Sequence, residues 1–149
     1  MQALEKLRPL ALLLLRLALA AVFIYHGYPK LFGHTHESMQ SFVHLGLPGY
    51  FAYISGLLEF FGGCTLIDGL FTPIAGLLLT IEMVIAMWKS GRLTSDPMAV
   101  RGYELPLALA VSAFVLATFG AGLLSLDHAL FGGGRSAPRK SKQKGSARG

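Results

Sequence analysis

Three ionisable residues, Arg16, Glu59 and Glu82, stand inside runs of apolar residues that otherwise hold almost no charge. A charge at the centre of a membrane-spanning helix costs about 2.5–3.5 kcal/mol, so such a residue normally faces other helices and a partner. Two carboxyl groups against one guanidinium leave negative charge in excess unless one carboxyl holds a proton. A proton relay or a site for a quinone head group would use such a carboxyl. We therefore predict a mid-membrane polar cluster of Arg16, Glu59 and Glu82.

A second group of ionisable residues lies near one boundary of the apolar runs, and it predicts an outer cluster of Lys30, Glu104 and His26. Two interpretations stay open for both clusters. They are structural ion pairs that fix the register of the helices, or they form a proton-coupled or ligand-binding pocket. The variant Glu59→Gln separates the two, because a structural carboxylate is needed for accumulation of the protein and a functional one is needed for activity.

The elements that must position these residues are apolar helices. The chain has 149 residues, of which 53% are hydrophobic and 14% charged, with a mean hydropathy of +0.55. Soluble domains contain about 25% charged residues, and a helix needs roughly 20 apolar residues to cross a bilayer. The fold class that we predict is an all-α integral membrane four-helix bundle in up-down-up-down order. It forms one domain, residues 1–131, with spans at about 9–31, 50–71, 73–89 and 105–126.

In this four-helix arrangement we expect the three residues of the first cluster to lie at similar depths in the membrane and to face the interior of the bundle. At about 1.5 Å per residue, Arg16 lies roughly 10 Å from the inner face, Glu82 roughly 15 Å and Glu59 roughly 16 Å. On the first span, Arg16 begins a seam that repeats at intervals of four and three residues through Ala20, Phe23, Gly27 and Lys30. Such a seam is typical of a packed helix face.

The distribution of basic residues predicts the orientation of the chain. With four spans both termini share one side, which collects Lys6, Arg8 and six cations of the C-terminal segment, against four on the other side. The positive-inside rule therefore predicts that both termini are cytoplasmic, in the bacterial cytoplasmic (inner) membrane. The turn "DGLFTP" predicts a tight hairpin, with Gly69 ending one helix, Thr72 capping the next and Pro73 in its first turn.

The C-terminal segment, residues 132–149, reads "GGGRSAPRKSKQKGSARG" and contains six Lys or Arg and no acid. This composition predicts a disordered basic cytoplasmic tail. Contact with anionic lipid accounts for its charge, and we expect no nucleic-acid partner. The partners that we expect are the bilayer, a redox partner protein and a second copy of the chain.

Other chemistries have weaker support in the sequence. Cys64 is the single cysteine, which argues against thiol–disulfide chemistry. Three histidines and Glu37 in the loop "GHTHESMQSFVHLG" have loose spacing, and we interpret them as solvated residues and predict no metal site. No cofactor motif is present, so a redox reaction would borrow its electron carrier from a substrate or partner. The cofactor prediction is open, with a quinone as the candidate.

Several stretches resemble the DoxX family of small four-span bacterial membrane proteins. They are Arg16 followed by "FIYHGYPKLFG", then "LEFFGGCTLIDGLFTPIAGLLLTIEMVIA", and finally "GYELPLALA" with "FGAGLLSLD". The resemblance covers Arg16 to Asp127. It implies the four-span fold and a role as an accessory component of membrane redox or detoxification systems, since the family takes its name from a subunit associated with a quinol oxidase. It also implies that Arg16, Lys30, Glu59, Glu82 and Glu104 occupy the family's polar positions, with no catalytic assignment to carry over.

The function that we expect is thus an accessory subunit of quinone-linked membrane redox or detoxification chemistry, which leaves open whether the chain is an enzyme. One alternative is a non-enzymatic membrane scaffold with structural ion pairs. Another is a small-molecule carrier, which the lack of an internal repeat or a broken helix disfavours.

Overall fold

The computed structural model describes residues 5–89 and 104–131, and this part of the chain is helical without strands. The predicted tail (132–149) and the segment 90–103, which precedes the fourth predicted span, lie outside the described residues. In chain order the helices are α1 (Arg8–Tyr28), a π-helical turn (Pro29–Gly33), α2 (Thr35–His44), α3 (Phe51–Asp68), α4 (Thr72–Lys89), α5 (Glu104–Phe119) and α6 (Leu126–Phe131).

Three segments are long and apolar enough to cross a membrane: α1 with its π-turn (Arg8–Gly33), α3 and α4. They correspond to the first three predicted spans. Large apolar side chains remain exposed along their outer faces, among them Leu14, Phe61 and Ile74, at 56–59% of their surface. A lipid-facing helix surface has this composition.

Only part of the fourth predicted span, 105–126, is helical, because α5 has 16 residues and stops at Phe119. Gly120 and Gly122 follow with φ of 72° and 79°, a left-handed conformation that glycine adopts without steric cost. The chain then runs without regular structure to α6.

The hairpin between α3 and α4 confirms the predicted end of α3, since Gly69 caps that helix with φ of 68°. The cap of α4 differs from the prediction. The Thr72 hydroxyl is buried and has no hydrogen-bond partner within the described residues. Instead Asp127, at the start of α6, accepts hydrogen bonds from the backbone N–H groups of Phe71 (2.8 Å) and Thr72 (3.0 Å). The cap that the sequence assigned to a local hydroxyl comes from a distant carboxylate.

Close antiparallel packing joins the helices in pairs. The predicted seam of α1 is buried against α3. A Cβ added to Gly27 would lie 2.6 Å from the backbone nitrogen of Phe60, so only glycine fits there. Gly76 of α4 is likewise against the backbone of Ala113 and Ala117 in α5, and these small residues allow the two helices to approach closely. The α3–α4 pair packs less closely than these two pairs do, and the looser packing leaves a groove between α3 and α4.

The core consists of Leu19, Ala20, Phe23, Leu66, Ala75, Leu79, Met83, Ala110, Ala113 and Leu116.

Candidate functional site

Arg16 is buried, with 1% of its surface exposed, but it does not contact either glutamate. Its guanidinium donates hydrogen bonds to the carbonyl oxygens of Leu66 (3.0 Å) and Ile67 (3.1 Å) in the last turn of α3. It also donates to the carbonyls of Ala121 (2.7 Å) and Leu124 (2.8 Å) in the segment between α5 and α6. The predicted grouping of Arg16 with Glu59 and Glu82 is therefore not the arrangement in the structure.

The physical reason is that backbone carbonyls compete for the guanidinium. The last carbonyls of a helix have no partner within the helix and carry partial negative charge. The segment after Gly120 adds further unpaired carbonyls. The planar guanidinium carries five N–H donors and can serve both groups at once. Glu59 comes before Leu66 in α3 and lies about two turns, or roughly 10 Å, away from it along the helix axis.

The two glutamates meet a different cation, Lys30. The Lys30 ammonium lies 2.6 Å from Glu59 Oε2 and also donates to the Ser55 hydroxyl at 2.8 Å. The hydroxyl in turn donates to Glu82 Oε1 at 2.5 Å. We call these four residues, Lys30, Ser55, Glu59 and Glu82, the Lys30 cluster. It connects three helical segments through one hydrogen-bonded chain.

Local backbone features bring Lys30 to this position. Pro29 lacks an N–H and begins the π-turn, in which the amide of His34 donates to the Pro29 carbonyl at 2.7 Å. Gly56 of α3 lies against this turn, and a Cβ there would come within 2.9 Å of the Lys30 Cβ. The glycine therefore lets the lysine stem pass α3 and reach Glu59, whose side chain is 4% exposed.

A cavity of about 370 Å³ lies over the Lys30 cluster, between α3 and α4. This volume is within the range of small-molecule sites. Residues in and after α2 close one end, and Lys89 stands among the lining residues. Apart from the cluster and Lys89 the walls are apolar: Phe42, Leu45, Leu47, Phe51, Ile54, Leu58, Leu78, Ile81, Met83, Ile85 and Ala86. The cavity thus combines apolar walls with a few convergent polar groups.

The predicted outer cluster divides in the structure. His26 is exposed, and its Nδ1 is 2.8 Å from the carbonyl oxygen of Val22. Glu104 is exposed at the start of α5. Neither forms an ion pair with Lys30, since the ion pairs within the described residues are Lys30–Glu59 and His34–Glu37. Lys30 instead belongs with the glutamates of the first cluster.

The bridging role of Ser55 was missed from the sequence. Its spacing of four residues from Glu59 puts both on one helix face, and that was the available signal. The three histidines that the sequence placed in a loop lie in α2 (His36 and His44) and directly before it (His34). No group of three metal-ligating side chains occurs within residues 5–89 and 104–131.

A wider groove of about 940 Å³ at the opposite end of the bundle is lined by Arg8, Asp127 and His128 among others. Its polar groups are already engaged or exposed. Both Asp127 oxygens cap α4, and Arg8 lies over the Phe119 ring at 5.1 Å from its centroid. The cavity over the Lys30 cluster is therefore the better candidate for a specific ligand.

Comparisons with known proteins show the family to which the chain belongs. The family profile of DoxX proteins matches residues 11–91, which include most of α1, all of α3 and α4, and the Lys30 cluster. The chain is 31% identical over 121 residues to a Bacillus subtilis (strain 168) protein named "Putative oxidoreductase CatD", covering 81% of this chain and 87% of that protein. It is also 31% identical over 134 residues to an uncharacterized protein of Haemophilus influenzae, covering 88% of this chain and 98% of the relative. No solved structure matches.

Proposed function

Because the chain belongs to the DoxX family, we propose that it is a four-span protein of the bacterial cytoplasmic membrane that serves quinone-linked redox or detoxification chemistry as an accessory subunit. The name of its Bacillus relative supports a redox setting. The observation that carries the proposal is the cavity over the Lys30 cluster, because apolar walls around a charged floor suit a membrane-dissolved molecule with a polar head.

The fourth span in this proposal is α5 together with the segment that follows it. At 16 residues α5 is about 24 Å long, whereas the hydrocarbon core is about 30 Å thick. Irregular backbone at membrane depth is tolerated only where protein satisfies its polar groups. The bonds from Arg16 to Ala121 and Leu124 supply that. With four spans both termini lie on one side, and the charge bias makes that side cytoplasmic.

The Lys30 cluster supplies binding and proton chemistry in this function. Lys30 would face a carbonyl or phenolic oxygen of the ligand, and the carboxyls of Glu59 and Glu82 are groups that can hold or release a proton. The Ser55 hydroxyl connects the Lys30 ammonium to Glu82 through two hydrogen bonds. Electrons would come from the ligand and a partner protein.

The experiment is mass spectrometry of small molecules that copurify with the full-length protein in mild detergent. Wild type is compared with Glu82→Gln and with Glu104→Gln, which changes an exposed carboxylate outside the cavity. A quinone-type or other amphipathic molecule supports the proposal if wild type and Glu104→Gln retain it and Glu82→Gln either loses it or carries a different molecule. Equal amounts in all three proteins contradict it.

A second candidate function is a scaffold subunit in which the Lys30 cluster only fixes helix packing. The observation that favours it is the Lys30–Glu59 bond of 2.6 Å, which fastens the end of α1 to α3. On this alternative the purified protein carries no small molecule and retains a partner polypeptide in stoichiometric amount. The variant Glu59→Gln then accumulates poorly.

A further inference from the structure

The Lys30 cluster, which forms the floor of the cavity, has one hydrogen-bond acceptor and one hydrogen-bond donor that are not used within the described residues. Glu82 uses Oε1 to accept from Ser55, while its Oε2 is buried and has no partner in the part of the chain that the structure describes. A carboxylate oxygen shut away from water without a donor is costly. Lys30 has three N–H donors, of which two serve Ser55 and Glu59. The free acceptor and the remaining donor lie at the two ends of one hydrogen-bonded chain.

A hydroxyl group matches this floor better than a carbonyl or an acid does. A hydroxyl donates one hydrogen bond and accepts others, so it can give its proton to Glu82 Oε2 and accept from Lys30. A quinone carbonyl only accepts, so it leaves the Oε2 of an ionised Glu82 unpaired. A carboxylate or phosphate head would bring a further negative charge next to Glu59 and Glu82, in a cavity whose lining holds two ammonium groups, Lys30 and Lys89, for those two carboxyls.

The walls select for a ring and against a sugar or glycerol head. Phe42, Phe51 and Met83 surround the floor. Additional hydroxyls would be buried against these side chains without partners, which is unfavourable. A single aromatic ring with a hydroxyl at one end meets both conditions.

A second cavity, of about 410 Å³, lies next to the first in the groove between α3 and α4, and the two share the lining residues Leu58 and Leu78. Its lining is apolar except for Thr65, whose hydroxyl is bonded to the Gly62 carbonyl at 2.8 Å. From Glu82 to Ile74, at its far end, the groove runs roughly 12 Å along α4.

We propose that the ligand of this site is a long-chain phenol or hydroquinone, with its hydroxyl between Glu82 and Lys30 and its apolar chain in the α3–α4 groove. This inference rests on the proposed function and narrows it to the reduced, hydroxyl-bearing form of a quinone-type molecule. One ligand with both head and chain is favoured because the charged cavity and the apolar groove are adjacent and share Leu58 and Leu78.

The test uses three probes on the full-length protein in phosphatidylcholine nanodiscs: radiolabelled dodecylphenol, its methyl ether, and phenol without a chain. Uptake by empty nanodiscs is subtracted. We expect dodecylphenol to bind about tenfold more tightly than the methyl ether, because the ether oxygen cannot donate to Glu82. We also expect it to bind far more tightly than phenol, since phenol leaves the groove unfilled.

Two variants separate head from chain. In Glu82→Gln the amide oxygen can keep the Ser55 bond while the NH₂ group replaces Oε2 as a donor, so the preference for the phenol over its ether should disappear or reverse. Thr65→Phe should obstruct the groove and weaken dodecylphenol without changing phenol. Its control is Thr118→Phe on α5, where the threonine also bonds a preceding carbonyl but is exposed and does not line the groove.

The outcomes are distinct. If dodecylphenol and its ether bind equally to wild type, the assignment of the hydroxyl is overturned while the proposed binding function stands. If Thr65→Phe binds dodecylphenol as wild type does, the assignment of the chain is overturned. If no probe binds and no small molecule copurifies, the proposed function fails together with this inference.

Discussion

Replacing Arg16 by methionine should destabilise the protein strongly, although Arg16 lies outside the candidate site. The change removes four hydrogen bonds to backbone carbonyls, of which those to Leu66 and Ala121 are buried. A buried group left without a partner costs about 1–3 kcal/mol, so these two carbonyls alone account for about 2–6 kcal/mol. The other two bonds are partly buried and add less. Since a whole domain is stable by about 5–15 kcal/mol, the loss is large.

The single cysteine makes this loss measurable. Cys64 is half-buried in α3, close to the carbonyls that Arg16 binds. A thiol-reactive fluorophore added during heating therefore reports the opening of α3. We expect the midpoint for Arg16→Met to fall by about 10 °C. The control is Arg8→Met on the same helix, which loses only a surface contact with Phe119 worth about 0.5–1 kcal/mol.

A double-mutant comparison distinguishes this account from a mid-membrane ion pair. With Glu59 bound to Lys30 and not to Arg16, the effects of Arg16→Met and Glu59→Gln on the midpoint should add. Strong coupling between the two substitutions, or a midpoint for Arg16→Met equal to that of Arg8→Met, would refute the assignment of Arg16 to the backbone carbonyls.

Three further predictions use the same thermal assay. Gly27→Ala should destabilise by about 1–3 kcal/mol because the added Cβ meets the backbone of α3, whereas Gly33→Ala, which meets nothing within 4 Å, should not; equal midpoints would contradict this packing. Asp127→Ala should lower stability by about 1 kcal/mol through loss of the α4 cap, and an unchanged midpoint would show that water replaces it. Lys30→Met should cost about 3–5 kcal/mol because it leaves the buried Glu59 carboxylate unpaired, and adding Glu59→Gln should restore much of the loss; no recovery would argue against the pair.

The sequence predicted well those features that depend on residue type over a long stretch. Apolar runs of sufficient length predicted α1, α3 and α4, and the seam of α1 is buried as expected. Gly69 predicted the end of α3 because a left-handed residue there favours glycine. Each of these features is a local property, or a periodic one, that the residue letters carry directly.

The partners of the buried charges could not be predicted in the same way. Arg16 binds backbone carbonyls, which every residue possesses, so nothing in the sequence marks Ala121 or Leu124 as acceptors. Those carbonyls are free only because the helix ends at Phe119. The apolar residues continue to Leu126, so the hydrophobic pattern does not indicate where the helix ends. The π-turn at Pro29 sets the position of Lys30, and counting at 1.5 Å per residue assumes that no such turn occurs.

The two buried cations differ in how completely their surroundings satisfy them, and this difference separates stability from binding. Arg16 is surrounded by carbonyls at 2.7–3.1 Å, and none of their oxygens faces the candidate cavity. Lys30 shares its ammonium between Ser55 and Glu59, and the chain of bonds ends at Glu82, whose Oε1 accepts from Ser55 and whose Oε2 has no donor in the described residues. Substitution of Arg16 should therefore reduce the amount of folded protein and leave ligand preference among the survivors unchanged. Substitution of Glu82 by glutamine should leave the amount nearly unchanged and alter the preference, because the Ser55 bond survives and only the free oxygen is replaced. Both variants should be measured for yield and for the ratio of phenol to ether binding. The Arg16 variant should lose yield and keep the wild-type ratio, and the Glu82 variant should keep the yield and lose that ratio. A parallel loss in both measurements would mean that the two ends of α3 form a single structural unit with no separate binding site.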